Sequence, residues 1–382
     1  MESARPRATR IRWALRLGGW AIAAVAALAA AYLVVAPTGR YIARAAWEEA
    51  KILARRRSIP ELVQDSRTPA AIRAKLQLVL AARAFAEDSV GLRAGDSFTT
   101  YSQLDRDTLV LLLSGAYRDR LERYTWWFPI VGRVPYKGFF DFAGARRSSR
   151  DLEGKGFDVY LRPASAFSTL GFFNDPLLST TLRQDSLDLA NTVIHETTHS
   201  TFYARGEAVF NESFANFVGA RGAAAFFRAR RQPAAAIEVD ARWSDQKLLA
   251  RFWASLHRTL DSAFKAHPGP ALRMRRLALR DSIYPAERRR LLHELGPQLR
   301  TVSPRALERT RFDNAALLAR RIYLTDLDLF DAVFARESGD LRATVRRIVT
   351  LAKSEPNDPY GALRRWLNES KGGPVLPEAS AQ

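Results

Sequence analysis

Residues 186–217 read SLDLANTVIHETTHSTFYARGEAVFNESFANF, and this stretch decides the fold. Leu187, Leu189, Ala190, Val193 and Ile194 recur with helical spacing, which predicts a buried helix from about Thr181 to Tyr203. Arg205-Gly206 can end it, because glycine accepts the left-handed backbone of a helix terminus. A second helix is predicted from about Phe210 to Arg230, packed back on the first. His195 and His199 stand at i and i+4, so they share one helix face a turn apart. Two imidazoles there can hold one metal ion, and Glu196 lies close enough to take a proton from a water that such an ion activates. In a core the same groups would be costly unless metallated or hydrogen-bonded.

A catalytic zinc takes three protein ligands and keeps one open position. Phe202 and Arg205 stand where the pattern HExxHxxGxxH would need Gly and a third His, so that class is excluded. His257, His267 and His293 lie far downstream and read as ordinary surface or helix histidines. Glu212 falls in the first turn of the second helix, facing the imidazoles. It is the expected third ligand of one Zn2+ ion, with Glu207 in the turn as the competing carboxylate. A glutamate there would also favour a helix N-terminus for plain electrostatic reasons. Asn216 shares the face of Glu212 and could hydrogen-bond the free ring nitrogen of a ligand histidine.

Outward from this pair the chain reads as mainly α with a small β element (α+β). Helices are expected from Tyr41, over Ala70–Ala86 and around Leu109–Leu121. The C-terminal third reads helical at 243–265, 271–280, 285–299, 304–321 and 325–353, with Pro285 and Pro304 where new helices can start. Residues 126–140, WWFPIVGRVPYKGFF, are punctuated by proline and glycine and read as a loop with a buried anchor. FDVYL at 157–161 alternates and reads as a strand. The expected division is an N-terminal segment 1–36, a helical region 37–155, a zinc-binding core 156–230, a helical region 231–371 and a polar tail 372–382.

Residues 17–36, LGGWAIAAVAALAAAYLVVA, carry no charge. As a helix they would rise ~30 Å, enough to cross a hydrocarbon core. Five arginines precede the span; Arg40, Arg44 and Lys51 follow it. The positive-inside rule leans toward a cytoplasmic N-terminus. The expectation is an anchor in a bacterial inner membrane with the body facing the periplasm. The alternative is a signal, cleaved at Ala29-x-Ala31, that releases the body there.

Basic residues number 59 against 40 acidic, a formal net charge of +19. They are spread along the chain without a nucleic-acid motif, so no nucleic-acid partner is expected; an anionic membrane surface is the competing use. The absence of cysteine excludes disulfides, thiolate zinc sites and iron–sulfur clusters. Nothing in the sequence sets an oligomeric state.

HExxH followed by Asn211-Glu212-Ser213-Phe214-Ala215-Asn216 resembles the gluzincin class of zinc peptidases, thermolysin among them. Read with Phe128–Gly132, Val134–Phe140, Ala166–Gly171 and Asp175–Leu178, the chain resembles the bacterial family described as putative aminopeptidases. The likeness covers roughly residues 38–350 and is strongest from 126 to 219. That family often carries two cysteines in the aromatic segment, where Trp127 and Arg133 stand here. The resemblance implies a gluzincin-like zinc-peptidase core with helical flanks. It also implies an aminopeptidase acting on peptides, with Glu196 as general base. An endopeptidase of the same class, or a non-catalytic envelope scaffold or metal-binding module retaining the fold, are the alternatives.

Gluzincins stabilise the oxyanion with a downstream Tyr or His. Tyr323, in a stretch similar to an Asn-Ala…Tyr stretch of the family, is the first candidate; Tyr136 and Tyr203 are the others, with core packing the competing role for each. Strand 157–161 and loop 166–173 stand where gluzincins place the edge strand that pairs with extended substrate. Tyr136, Phe167 and Thr169 are accordingly candidate substrate contacts, beside a plain packing role.

Overall fold

The computed structural model describes residues 20–128 apart from 22, 26, 29 and 30, then 132–164 and 176–369. The chain enters through α1 (Pro37–Ala54), α2 (Ile59–Gln64) and α3 (Ala70–Phe85). Pro60 sits in the first turn of α2, where its missing N–H is not needed. Helix α4 (Phe142–Gly154) and the short α5 (Ser179–Leu182) precede the central pair, α6 (Ser186–Thr201) and α7 (Ala208–Ala229). Then follow α8 (Pro233–Lys265), α9 (Arg273–Arg290), α10 (Pro304–Glu308), α11 (Asn314–Arg321), α12 (Leu327–Arg336), α13 (Leu341–Ser354) and α14 (Pro359–Glu369).

The main core forms around α6 and α7. Leu189, Val193 and Ile194 of α6 and Phe210, Phe214 and Phe217 of α7 are buried together with Leu76 and Val79 of α3, Phe330 of α12 and Ile348 of α13. Full burial of each such side chain contributes about 1.5–3 kcal/mol. A second core joins the far half of α8 (Phe252, Trp253, Leu256, Leu260) to Tyr284 of α9, Leu307 of α10 and Leu317 of α11.

The β structure is larger than the sequence suggested. Strands β1 (Arg56–Ser58), β2 (Thr100–Ser102) and β9 (Leu177–Leu178) form one small sheet. A second sheet is centred on β3 (Val110–Tyr117). It pairs antiparallel along its length with β8 (Phe157–Ala164), and also with β7 (Tyr136–Phe139) and β4 (Arg123–Tyr124). Strands β5 (Trp126–Phe128) and β6 (Gly132–Val134) make a hairpin.

Two expectations are thereby corrected. The segment around Leu109–Leu121 is not a helix: its apolar run is the central strand β3, covered by α4 on one face and α11 on the other. A strand buried on both faces loses its alternation and cannot be told from a buried helix by periodicity. The described part of 126–140 is not a loop either, since β5, β6 and β7 form there, with Phe128 and Phe140 buried as anchors.

The C-terminal helices are also cut differently. Pro285 lies inside α9 rather than opening a helix. Pro285 and Asp281, whose carbonyl loses its amide partner there, are both exposed, so water can serve that carbonyl. The expected helix 304–321 is split into α10 and α11, with Asp313 capping α11 through the Ala316 N–H at 2.7 Å. The segment 325–353 is split at Ser338-Gly339, both at positive φ.

The described residues between 20 and 35 are helical and expose Trp20, Val25, Leu28, Val34 and Val35. Among the described residues no helix is long and apolar enough to cross a membrane; residues 17–19, 22, 26, 29 and 30 of the charge-free span lie outside the description.

Candidate active site

Helix α6 starts where Asp185 caps it, its carboxylate accepting from the Leu187 and Asp188 amides at 2.9 and 2.8 Å. It ends at Thr201, and the turn to α7 is tied by a side chain. Buried Asn211 accepts from the Ala204 N–H and donates to the Ala204 carbonyl, both at 2.8 Å. Gly206, at φ +86°, supplies the left-handed turn residue. Close approach of the two helices depends on missing side chains. A Cβ on Gly222 would lie 2.9 Å from Ile194 Cγ2, and one on Gly219 would collide with Asn191. This brings the first turn of α7 against the exposed end of the histidine face.

There His195 Nε2 and His199 Nε2 are 3.2 Å apart. Glu212 approaches them with Oε2 at 3.5 Å from His195 and Oε1 at 3.7 Å from His199. Among the described residues these three form the group of His, Asp and Glu able to hold a metal ion, their ligand atoms all within 4.8 Å of one another. The spacing fits a metal of zinc's size: ligands ~2.0–2.1 Å from a tetrahedral ion stand about 3.3 Å apart. Burial opposes the charged carboxylate of Glu212, but the two neighbouring histidines outweigh it and lower its pKa to about 2. Burial likewise opposes the imidazolium of His195, yet Glu212, Glu196 and Asn216 hold its pKa above the ordinary histidine value. Each group thus favours the charged form of the other, an electrostatic well into which a cation can substitute.

Asn216 is brought to the neighbourhood of His195, whose pKa it helps to raise. It also does something the sequence did not suggest: its amide donates to the Tyr323 carbonyl at 2.8 Å. Ser213 Oγ accepts from the Thr325 N–H at 3.2 Å. Two side chains of α7 therefore clip residues 323–325 beside the cluster, although 107 positions separate Asn216 from Tyr323.

The Tyr323 phenol feels the charge of the cluster. Its pKa is raised, first by burial and then by the negative charge of Glu212, with Glu196 adding to it and Arg162 opposing. Tyr136, although 45% exposed, is raised by burial and then by Tyr323, Glu212 and Tyr203.

The opposite wall is the second sheet. Arg162 lies across β3 from Leu112, and Tyr160 and Tyr136 flank Ser114. These positions alternate by two and so share one sheet face. That face packs on α11 through Ala116, Ala315 and Leu318. Arg162 Nη2 donates to the Tyr323 hydroxyl at 3.4 Å. Arg162 is the site residue the sequence reading missed; its one signal was its place at the end of the expected strand 157–161. Phe167 and Thr169 lie outside the described residues. Glu207 is the N-cap residue of α7 and, like His257, His267 and His293, does not join the cluster.

Fold and cluster together define a mainly helical protein with a three-ligand site, able to hold a metal ion, on two packed helices. A family model described as "Putative aminopeptidase" matches residues 40–362. The chain belongs to that family. No curated protein and no solved structure matches it.

Proposed function

We propose that this chain is a zinc-dependent peptidase of the gluzincin type, and an aminopeptidase in keeping with its family. The observation that carries the reading is the convergence of His195, His199 and Glu212 on one point beside Glu196. Bound zinc supplies Lewis acidity, polarising the peptide carbonyl and making water acidic enough to attack at neutral pH. Glu196 takes the proton of the attacking water and passes it to the leaving amine. Tyr323, with Tyr136 beside it, donates to the oxyanion; burial keeps the Tyr323 phenol protonated and so able to donate. Asn216 orients His195.

Metal analysis tests the assignment. Purified wild type should carry about one zinc per chain, and Glu212→Ala should lose it. Zinc-free wild type, or a fully loaded Glu212→Ala variant, contradicts the ligand set.

We also propose that the segment 1–36 holds the body at the periplasmic face of a bacterial inner membrane. The charge-free span and the exposed apolar side chains from Trp20 to Val35 support it. Protease added to spheroplasts should digest the body; a protected body argues for the cytoplasm, and a soluble fragment starting near Tyr32 for a cleaved signal.

A further inference from the structure

The sheet wall of the site carries a cation that the peptidase reading leaves without a task. Arg162 is partly buried on β8, on the sheet face that looks toward Tyr323 and Tyr136. Its contacts are a long hydrogen bond to the Tyr323 hydroxyl, 3.4 Å, and the face of the same ring, 5.6 Å from the guanidinium carbon to the ring centroid. Among the described residues no carboxylate pairs with it. The neighbouring cations of this layer are held by the fold: Arg280 of α9 meets Asp158 of the same strand at 2.6 Å, Arg320 stacks on Tyr160 and Trp253 at 5.5 and 4.7 Å, and Arg123 of β4 donates to the Leu318 carbonyl at 3.2 Å. Asp158, Tyr160 and Arg162 follow one another along one face of β8; the first two are closed by fold partners, while the third ends at the site.

We propose that Arg162 is a specificity residue that binds a carboxylate of the substrate. The proposal rests on the peptidase reading and names its substrate class: peptides with a carboxylate close to the bond that is cut. A guanidinium stays charged at any working pH, and its planar fork of N–H donors matches a carboxylate in two parallel hydrogen bonds. A partly desolvated arginine without an anion is unfavourable, and an arriving carboxylate relieves that cost. Position supports the same assignment. Tyr323 is held at its carbonyl by Asn216 of the helix that carries Glu212 and met at its hydroxyl by Arg162, so one residue links the cluster to the guanidinium. A peptide bound at the cluster can therefore present a carboxylate to Arg162 on the far side of Tyr323. That carboxylate is either the C-terminus of a short peptide or an acidic side chain.

The test uses the full-length protein and three matched peptide sets: free C-terminus with neutral side chains, C-terminal amide with neutral side chains, and C-terminal amide with one Asp or Glu. Wild type should prefer at least one carboxylate set over the neutral amide by roughly 10- to 100-fold in kcat/KM, as charge-assisted hydrogen bonds allow. The favoured set identifies the source of the carboxylate. Arg162→Met should collapse that ratio mainly through KM, and Arg162→Lys should restore part of it. A wild type without preference, or a preference that survives Arg162→Met, overturns the proposal. If no peptide is cleaved, the peptidase reading fails separately, and calorimetry decides the arginine's role. N-acetyl-leucine should then bind the protein more tightly than N-acetyl-leucinamide, and Arg162→Met should abolish the difference; equal binding in wild type overturns it.

Discussion

Two polar clusters among the described residues are built on opposite rules. In one, Asp158 accepts from Arg280 at 2.6 and 2.7 Å and from the Asn314 N–H at 3.0 Å. Asn314 in turn donates to the Tyr117 carbonyl at 2.8 Å and accepts from the Tyr284 hydroxyl at 2.5 Å. Donors there face acceptors, and the cluster knits β8, α9 and α11 into one piece. In the other, two imidazoles and a carboxylate aim their ligand atoms at a common point. Groups that complement one another hold a fold together. Groups that all point inward as electron-pair donors await a cation from outside.

That contrast can be broken at either end. The largest effect is expected at the converging cluster. Glu196→Gln should keep the metal and the fold but lower peptide turnover by about 10²–10⁴-fold, the contribution of a positioned base. Kinetics combined with metal analysis check it; activity within a few-fold of wild type would remove Glu196 from the mechanism. The smaller effect belongs to the complementary cluster. Asp158→Ala strands the buried Arg280 and should destabilise the protein by roughly 3–5 kcal/mol. Chemical denaturation reads it directly. A loss under about 1 kcal/mol would mean that water or Asp281 replaces Asp158 and that the cluster is not structural.

The two halves of the site were unequally legible. His195, Glu196 and His199 follow from the helical repeat. Glu212 follows from a short turn between two helices, so a local reading reaches it. The reading failed on β3, where an apolar strand buried between α4 and α11 has no period to betray it. With β3 taken as helix, β8 had no partner and Arg162 no wall to stand on. The aromatic run from Trp126 hid its strands behind its prolines and glycines, and so hid why Tyr136 faces the same cleft as Tyr323.

By itself the sequence determined the α6–turn–α7 pair, the spacing of its histidines and the carboxylate that completes them. Backbone geometry within about thirty residues settles those positions, whatever the rest of the chain does. Tertiary structure decided which tyrosine is tied beside the cluster, through the Asn216 and Ser213 hydrogen bonds to 323–325, and brought Arg162 to the far wall. Those contacts join residues more than a hundred positions apart. They arise from packing of a sheet against helices, and no local period in the sequence records such packing.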